Sequence, residues 1–295
     1  MPALLLALRP RQWTKNLVIF AGLAFSGGAN DQATVAKAVL AFILFCAASS
    51  SVYLFNDLLD RKRDQLHPSK KNRPIASGKV AVSTAAMTSA ILAGAALVFG
   101  FTLSEAPDAI LAYLVLQIAY SLRLKHVVIL DVFCIAAGFL LRVLCGVWAI
   151  DAPLSPWLVA CTVQLALFLA LCKRRAEVTA IGEGSHAQRP LLREYASPGT
   201  DVMVGVAAAA LLVTYTLYTL LPGALLQLDV TMKSRAGEPG MIWTTPMVLY
   251  GVMRYLYLVY SQDKGERPER ILTSDVPLLS SIVAYCAVVA WVVYI

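Results

Sequence analysis

The sequence has few of the residues that build cysteine- and histidine-based frameworks. Its 295 residues include three histidines and six cysteines, and no two cysteines have the CxxC spacing. A zinc or disulfide framework is therefore excluded, because both need paired cysteines or clustered cysteines and histidines. We expect the cysteines to be small apolar core residues, since they lie in or beside apolar stretches: Cys46, Cys134, Cys145, Cys161, Cys172 and Cys286.

Charged residues are also scarce, whereas apolar residues are abundant. Charged residues make up 15% of the chain and hydrophobic residues 59%, with a mean hydropathy of +0.69. This composition excludes an ordinary soluble domain, and apolar runs without alternation exclude a transmembrane β-barrel. A lipid-crossing helix needs about 17 to 25 apolar residues. We predict an all-α, polytopic membrane protein with nine transmembrane helices, near 17–29, 33–55, 82–103, 107–122, 127–149, 155–172, 202–221, 242–261 and 276–295.

Lysine and arginine are concentrated in alternate connecting segments. By the positive-inside rule this pattern predicts a cytoplasmic N-terminus and a multi-pass protein of the cell (plasma) membrane. The net charge of +7 indicates anionic headgroups or a phosphorylated substrate at the cytoplasmic face, and no nucleic acid. No Pro-, Gly- or Ser-rich linker divides the chain, so we expect one integral membrane domain over 1–295.

An acidic motif, NDLLDRKRD, follows directly on the apolar run that ends near Phe55. Asp57, Asp60 and Asp64 would return to one face of a helix, with Asn56 beside them. Mg²⁺ takes one or two carboxylates and fills its other positions with water and phosphate oxygens. The motif therefore predicts a Mg²⁺-diphosphate site at the membrane surface, with the three aspartates as catalytic metal ligands. The alternative is a solvated helix end, which the like-charged neighbours disfavour.

Basic residues crowd the segment after the acidic motif. Lys70 and Arg73 lie among prolines and a glycine, as expected of phosphate-binding residues on a turn-rich loop. The alternative for each is simple anchoring of the membrane topology. His67 could be a base, but a structural role is favoured.

Further candidate substrate-binding residues lie at the ends of other predicted spans. Lys15 can reach the headgroup plane, although a snorkelling lipid anchor is the alternative. Asp131 and Arg142 are three helical turns apart, and an arginine that deep in a membrane needs a functional or a structural partner. The remaining candidates, for which a topology signal or a structural role is the alternative, are Tyr120, Lys125, Lys173, Arg174, Arg189 and Arg193.

The acidic motif and its continuation, HPSKKNRPIASG, resemble the first signature of the UbiA superfamily of intramembrane transferases. The order N-D-x-x-D-x-x-x-D, then H-P, then R-P-x-A-S-G is specific, and the resemblance covers essentially the whole chain. It implies a UbiA-like helical bundle with its active site facing the cytoplasm. It also implies Mg²⁺ as cofactor and a prenyl or polyprenyl substrate.

Four further stretches are similar to the polyprenyl-phosphate phosphoribosyltransferase branch of that superfamily: RPRQWTKN, YSLRLKH, GFLLR and KRRAE. Prenylating branches usually carry a second aspartate-rich motif, whereas region 120–131 has one aspartate. The resemblance implies transfer of 5-phosphoribosyl from phosphoribosyl pyrophosphate to a decaprenyl-type polyprenyl phosphate, for cell-wall arabinan precursors. One acidic cluster would serve one Mg²⁺-diphosphate, and the surplus cations would serve the additional phosphates.

Two other functions stay open at this point. An aromatic or quinone-precursor prenyltransferase would use the same fold and metal with an isoprenoid diphosphate. A transporter would need polar residues near the bilayer midplane, whereas the polar residues here gather at one end. The sequence leaves a homo-oligomer open.

Overall fold

A computed structural model of the protein describes residues 2–26, 28–67, 70–181, 191–220, 239–261, 271 and 274–294. Every regular element in these ranges is helical, which confirms the all-α expectation for them. In chain order the α-helices are α1 (Ala3–Ala7), α2 (Ala21–Ser26), α3 (Gln32–Leu59), α4 (Arg61–Gln65), α5 (Val82–Gly100), α6 (Ala106–Leu122), α7 (Leu130–Ala149), α8 (Pro156–Ile181), α9 (Leu191–Glu194), α10 (Gly199–Leu220), α11 (Thr245–Ser261) and α12 (Val276–Tyr294).

Six of the described helices are long and apolar enough to cross a membrane: α3, α5, α7, α8, α10 and α12. Helices α6 and α11 coincide with two further predicted spans, but each has 17 residues. At about 1.5 Å per residue they reach roughly 25 Å, less than the ~30 Å of a hydrocarbon core. Nine crossings therefore stay a prediction.

The predicted first span, 17–29, is not one α-helix. A 3-10 helix runs over Pro10–Phe20, and α2 continues from it for six residues. A Cβ placed on Gly146 would overlap the backbone carbonyl of Ile19, so the 3-10 segment approaches α7 backbone to backbone. The narrower 3-10 geometry and the glycine together allow this close packing.

The chain divides into two compact units, and the first consists of Met1–Arg123 and Leu140–Leu154. Small buried residues such as Ala41, Ala48 and Ala109 form much of its core, together with Phe45. The Phe45 ring lies 4.7 Å from that of Tyr113, between centroids. Small residues let helices pack closely in lipid, where van der Waals contact replaces the hydrophobic effect as the driving force.

The second unit consists of Leu124–Phe139 and Ser155–Ile295. Its core includes Phe168 on α8 and Tyr255 on α11, whose ring centroids are 5.6 Å apart in an edge-on arrangement. Leu211 on α10 and Leu258 on α11 are buried in the same core. Tyr195, which follows α9, is almost fully buried there and carries its hydroxyl into the unit.

The six cysteines are all free. Cys46, Cys134, Cys145 and Cys172 are buried, as expected of apolar core residues, and Cys161 is half-buried. Cys286 is exposed on α12, a helix long and apolar enough to cross a membrane. The core interpretation is therefore confirmed for the four buried cysteines and is wrong for Cys286.

Candidate active site

The acidic motif lies at the end of α3, where it forms what we call the acidic corner: Asp57, Asp64, Arg9 and Arg73. Helix α3 ends at Leu59 and α4 begins at Arg61, so Asp60 stands at a junction. The Asp60 N–H donates to Asn56 O and the Asp64 N–H donates to Asp60 O, at 2.9 and 2.8 Å. These bonds keep the helical path, so Asp57 and Asp64 stand two turns apart and both are buried.

One guanidinium joins the two buried carboxylates of the corner. The Nη1 atom of Arg73 donates to Asp57 Oδ1 at 3.1 Å and to Asp64 Oδ2 at 2.7 Å. The sequence predicted Asp57 and Asp64 as parts of one acidic face and Arg73 as a separate phosphate-binding residue, and the structure brings all three together. Asp60, the third predicted aspartate, is half-buried at the junction, and the interruption at this residue means that the trio does not share one unbroken helix.

The loop that carries Arg73 is held by apolar anchors. Ile75 and Val80 are buried and pack with Leu54 of α3. The Gln65 amide donates to the Ala76 carbonyl at 3.2 Å, which ties α4 to the loop. Burial on one side of the loop therefore aims Arg73 back at the end of α3.

A second cation reaches the corner from the N-terminal segment. Arg9 Nη2 donates to Asp57 Oδ1 at 2.5 Å, and the guanidinium lies 5.0 Å above the Tyr53 ring. The backbone of Arg9 is left-handed, with φ 54° and ψ 58°, directly before Pro10. A non-glycine residue in this region is strained, and such strain clusters at functional sites. Sequence analysis included Arg9 only as the first residue of the RPRQWTKN stretch and missed this role, because no motif marks a left-handed backbone.

Two serines position neighbouring parts of the corner. The Ser121 hydroxyl donates to the Asn56 side-chain carbonyl, so α6 orients this predicted substrate-binding residue. The Ser50 hydroxyl donates to the Leu8 carbonyl at 3.0 Å and accepts from Trp13 Nε1 at 3.0 Å. The segment that carries Arg9 is therefore fastened to α3.

The donor chemistry of the corner fits Mg²⁺ in part. Within the described ranges, no three His, Cys, Asp or Glu side chains come close enough together to hold a metal ion. The two carboxylates that share Arg73 Nη1 supply the one or two protein ligands that Mg²⁺ commonly takes when water and substrate phosphates complete its shell. Asp57 and Asp64 would hold the ion, and Asp60 is not part of the observed convergence.

A second polar cluster lies in the other unit and consists of Asp131, Arg174 and Tyr195, with Glu177 at its edge. Arg174 Nε donates to Asp131 Oδ2 at 2.8 Å, and its Nη1 donates to Glu177 Oε2 at 2.6 Å. The Tyr195 hydroxyl donates to Asp131 Oδ1 at 2.5 Å and accepts from the Ile129 N–H at 2.9 Å. We call this set the buried cluster, since Asp131, Arg174 and Tyr195 are all buried.

The hydrogen bonds of the buried cluster stabilise the structure around α7. Burial, followed by the hydrogen bond to Asp131, raises the pKa of the Tyr195 hydroxyl above its usual range, so this hydroxyl stays a donor. Its partner Ile129 has φ 68°, an outlier for a β-branched residue. Tyr195 therefore stabilises a strained turn directly before α7.

Arg142, another predicted substrate-binding residue, has its described contacts in the first unit. Its Nε donates to Asn16 Oδ1 at 2.8 Å and its Nη2 to the Tyr113 hydroxyl at 3.2 Å. The guanidinium also lies over the rings of Phe45 and Tyr113, at 5.2 and 4.8 Å. Asp131, three turns earlier, is instead bound by Arg174 and Tyr195.

The other predicted residues are spread over both units. Lys15 and Tyr120 are half-buried in the first unit, where Lys70 is exposed. In the second unit Lys125 is half-buried, Arg193 is exposed, and Lys173 Nζ is 3.9 Å from Glu177 Oε1. Arg189 lies outside the described residues.

Apolar crossing helices and a charged corner at the end of one of them define a multi-pass membrane protein with a polar site. The chain belongs to the UbiA prenyltransferase family, whose model matches residues 16–276. It is accordingly a membrane transferase, and the resemblance read from its motifs is confirmed.

Curated relatives match nearly the whole chain. Decaprenyl-phosphate phosphoribosyltransferase of Mycolicibacterium smegmatis is 33% identical over 99% of this chain and 92% of its own length. The protein of the same name from Mycobacterium tuberculosis is 31% identical over 96% of this chain and 91% of its own.

Solved structures share the fold. A UbiA homologue from Archaeoglobus fulgidus bound to GPP and Mg²⁺ has a TM-score of 0.72, with 18% identity, covering 99% of this chain and 100% of that one. The same homologue bound to DMAPP and Mg²⁺ has a TM-score of 0.71 and 19% identity, covering 99% of each chain. At this identity the likeness establishes the fold.

Proposed function

We propose that this enzyme transfers 5-phosphoribosyl from phosphoribosyl pyrophosphate to a polyprenyl phosphate of the decaprenyl type and releases pyrophosphate. The observation that carries the choice is the match to relatives of that name over almost their whole length. The acidic corner supports it, because two buried carboxylates with two guanidinium groups suit one metal-bound diphosphate.

In this mechanism Asp57 and Asp64 would hold Mg²⁺, which would supply charge neutralisation at the diphosphate leaving group. Arg9 and Arg73 lie within reach of the same diphosphate and stabilise the charge that develops on it. An oxygen of the lipid phosphate bonds to ribose C1 while the C1–O bond to the diphosphate breaks, and its electron pair leaves with pyrophosphate. The attacking phosphate is already anionic, so no side chain has to accept a proton.

The remaining cations would bind the other two phosphates of the reaction, the 5-phosphate of the donor and the lipid headgroup. We assign Lys15, Lys70 and Lys125 to them first, and we assign Asn56 and Tyr120 to further polar contacts with the substrates. We assign Lys173, Arg189 and Arg193 to the same role after them. The contacts of Asp131, Arg142 and Arg174 favour positioning roles for these three residues.

Topology belongs to the same proposal. We place the active site at the cytoplasmic face of the plasma membrane, with nine crossings and both compact units acting as one transferase domain over 1–295. The product would enter cell-wall arabinan synthesis.

A specific observation favours a second function. The family is described as prenyltransferases, and two solved structures of similar fold hold the isoprenoid diphosphates GPP and DMAPP with Mg²⁺. An aromatic or quinone-precursor prenyltransferase would therefore use the same corner with a different donor.

One experiment separates the two functions. Purified full-length protein in nanodiscs is incubated with Mg²⁺ and ribose-labelled phosphoribosyl pyrophosphate, with or without polyprenyl phosphate. We expect label in the organic phase only when the lipid monophosphate is present, and none after addition of EDTA. Transfer from labelled geranyl diphosphate to an aromatic acid, without any phosphoribosyl transfer, would instead establish the second function.

A further inference from the structure

The acidic corner contains its own cations, and they bind one oxygen of each of its two carboxylates. Asp57 Oδ1 accepts from both Arg9 and Arg73, and Arg73 Nη1 also binds Asp64 Oδ2. A nitrogen at 2.7 and 3.1 Å from the two carboxylates fills the space between them. Mg²⁺ requires its oxygen ligands at about 2.0–2.1 Å. The ion and the guanidinium therefore compete for one position.

We propose that Arg9 and Arg73 form a cation lock that keeps divalent metal out of the corner until a diphosphate arrives. The diphosphate attracts both guanidinium groups, which releases the oxygens of Asp57 and Asp64 for the metal. Metal and diphosphate thus enter together. The proposal rests on the proposed function only in taking this corner as the metal-diphosphate site.

Burial explains why the corner needs a lock. Asp57 is 3% exposed, and a buried carboxylate without a counter-charge is strongly unfavourable. A cation beside the ionised Asp57 offsets that cost, whether it is a guanidinium or a metal ion. Arginine can fill this role and still exchange, because its planar fork binds carboxylate and phosphate with the same bidentate geometry.

The positions of the two arginines also allow their guanidinium groups to move away from the carboxylates. Their side chains are 30% and 31% exposed, so one side of each guanidinium faces outward while the other contacts the carboxylates. Arg9 also rests on the Tyr53 ring, which gives its guanidinium a second contact besides Asp57. Arg73 bridges Asp57 and Asp64 through one nitrogen, and a lysine would lack the other guanidinium donors that a phosphate can accept from.

The test measures metal binding without any substrate. Mn²⁺ stands in for Mg²⁺, and binding to purified full-length protein is followed by the loss of the free-ion EPR signal. The lock predicts that Arg73→Gln binds Mn²⁺ at least about tenfold more tightly than wild type, within the ~10–100-fold by which neighbours of metal ligands commonly change affinity. Arg9→Gln should show a smaller gain, and the double variant the largest.

Three further variants make the result specific. Lys71→Gln removes an exposed positive charge from the same loop and should change the affinity by less than about twofold, since surface charges are screened. Arg73→Lys keeps the charge but loses the fork, so it should lie between wild type and Arg73→Gln. Asp57→Asn in the Arg73→Gln background should abolish the gain, which places the bound metal at the corner.

Equal Mn²⁺ affinity in wild type, Arg9→Gln and Arg73→Lys, or a gain in Lys71→Gln as large as in Arg73→Gln, would overturn the lock. If Arg73→Gln does not fold, Arg9→Gln and Arg73→Lys still decide the matter. The proposed function can fail separately. If Arg73→Gln gains Mn²⁺ affinity but the wild-type protein transfers no phosphoribosyl, the lock stands and the proposed function is refuted.

Discussion

The acidic corner and the buried cluster use the same chemistry, a carboxylate held by arginine, in two different ways. In the corner, Asp57 is 3% exposed but its two arginine partners are about ten times more exposed. In the buried cluster, the side chains of Asp131 and Arg174 are 0% and 3% exposed. Arg9 and Arg73 are partly exposed to water and can turn towards a ligand. Arg174 is enclosed by its surroundings and cannot leave Asp131 without disrupting them.

This difference separates an exchangeable site from a structural one. A buried ion pair is weak evidence for net stability, but breaking one partner leaves an uncompensated charge. The buried cluster should therefore respond to mutation in stability, and the acidic corner in activity.

The largest expected effect is on stability in the buried cluster. Arg174→Met leaves the Asp131 carboxylate buried without its guanidinium, which should cost about 3–5 kcal/mol. The measurement is thermal unfolding of the purified protein, together with its yield from membranes. The matched control is Arg175→Met on the same helix, whose pair with Asp201 is partly exposed and should matter little. Equal losses in both variants would contradict the division.

The second effect is on catalysis in the acidic corner. Asp57→Asn keeps the side-chain volume but removes the charge that binds the cations, so transfer should fall by about 10²-fold or more. The rate is measured with saturating donor and lipid, and unfolding is monitored in parallel. Asp108→Asn, an exposed carboxylate at the start of α6, is the control. Wild-type turnover by Asp57→Asn would remove the metal role from this residue.

The third effect is intermediate and concerns the tyrosine of the buried cluster. Tyr195→Phe removes a donor to a buried carboxylate and the acceptor for the strained Ile129, at a cost of about 1.5–3 kcal/mol. Thermal unfolding reports this loss. The control is Tyr260→Phe, whose hydroxyl donates to the exposed Asp201 at 2.9 Å, and which should unfold almost as wild type. A smaller loss of stability in Tyr195→Phe than in Tyr260→Phe would show that burial does not determine how much a tyrosine hydroxyl stabilises the protein.

The smallest expected effect is at an exposed ion pair of the first unit. Lys37 Nζ lies 2.8 Å from Asp151 Oδ2, and both side chains are about half exposed. Exposed pairs are screened by solvent and salt, so Lys37→Gln should leave both thermal unfolding and activity unchanged. A clear loss of stability would show that solvent exposure of the cation does not distinguish the two kinds of site.

Several features of the candidate site could be read from the chain alone because they are local. Asp57 and Asp64 are seven residues apart, two helical turns, and the acidic motif identifies them. Arg73 follows in a turn-rich segment whose composition already indicates a loop. The family could be recognised from the same residues, since the order of polar groups in the motif is specific.

Contacts between distant segments could not be predicted from the sequence. Arg9 reaches Asp57 across 48 positions, from a segment that Ser50 of α3 holds at Leu8 and Trp13. The spacing of Asp131 and Arg142 placed them on one helix face, and their partners Arg174 and Asn16 come from other parts of the chain. The short 3-10 segment replaced a predicted span because Gly146 lets Ile19 approach its backbone.

Sequence by itself determined the helical membrane class, the family and the acidic motif, because apolar length, charge and residue order are properties of short stretches. Tertiary structure alone decided which cations hold which carboxylates and how far each is buried. The physical reason is that burial and long-range pairing depend on how helices pack, and a buried charge takes whatever partner the packing brings within a hydrogen bond.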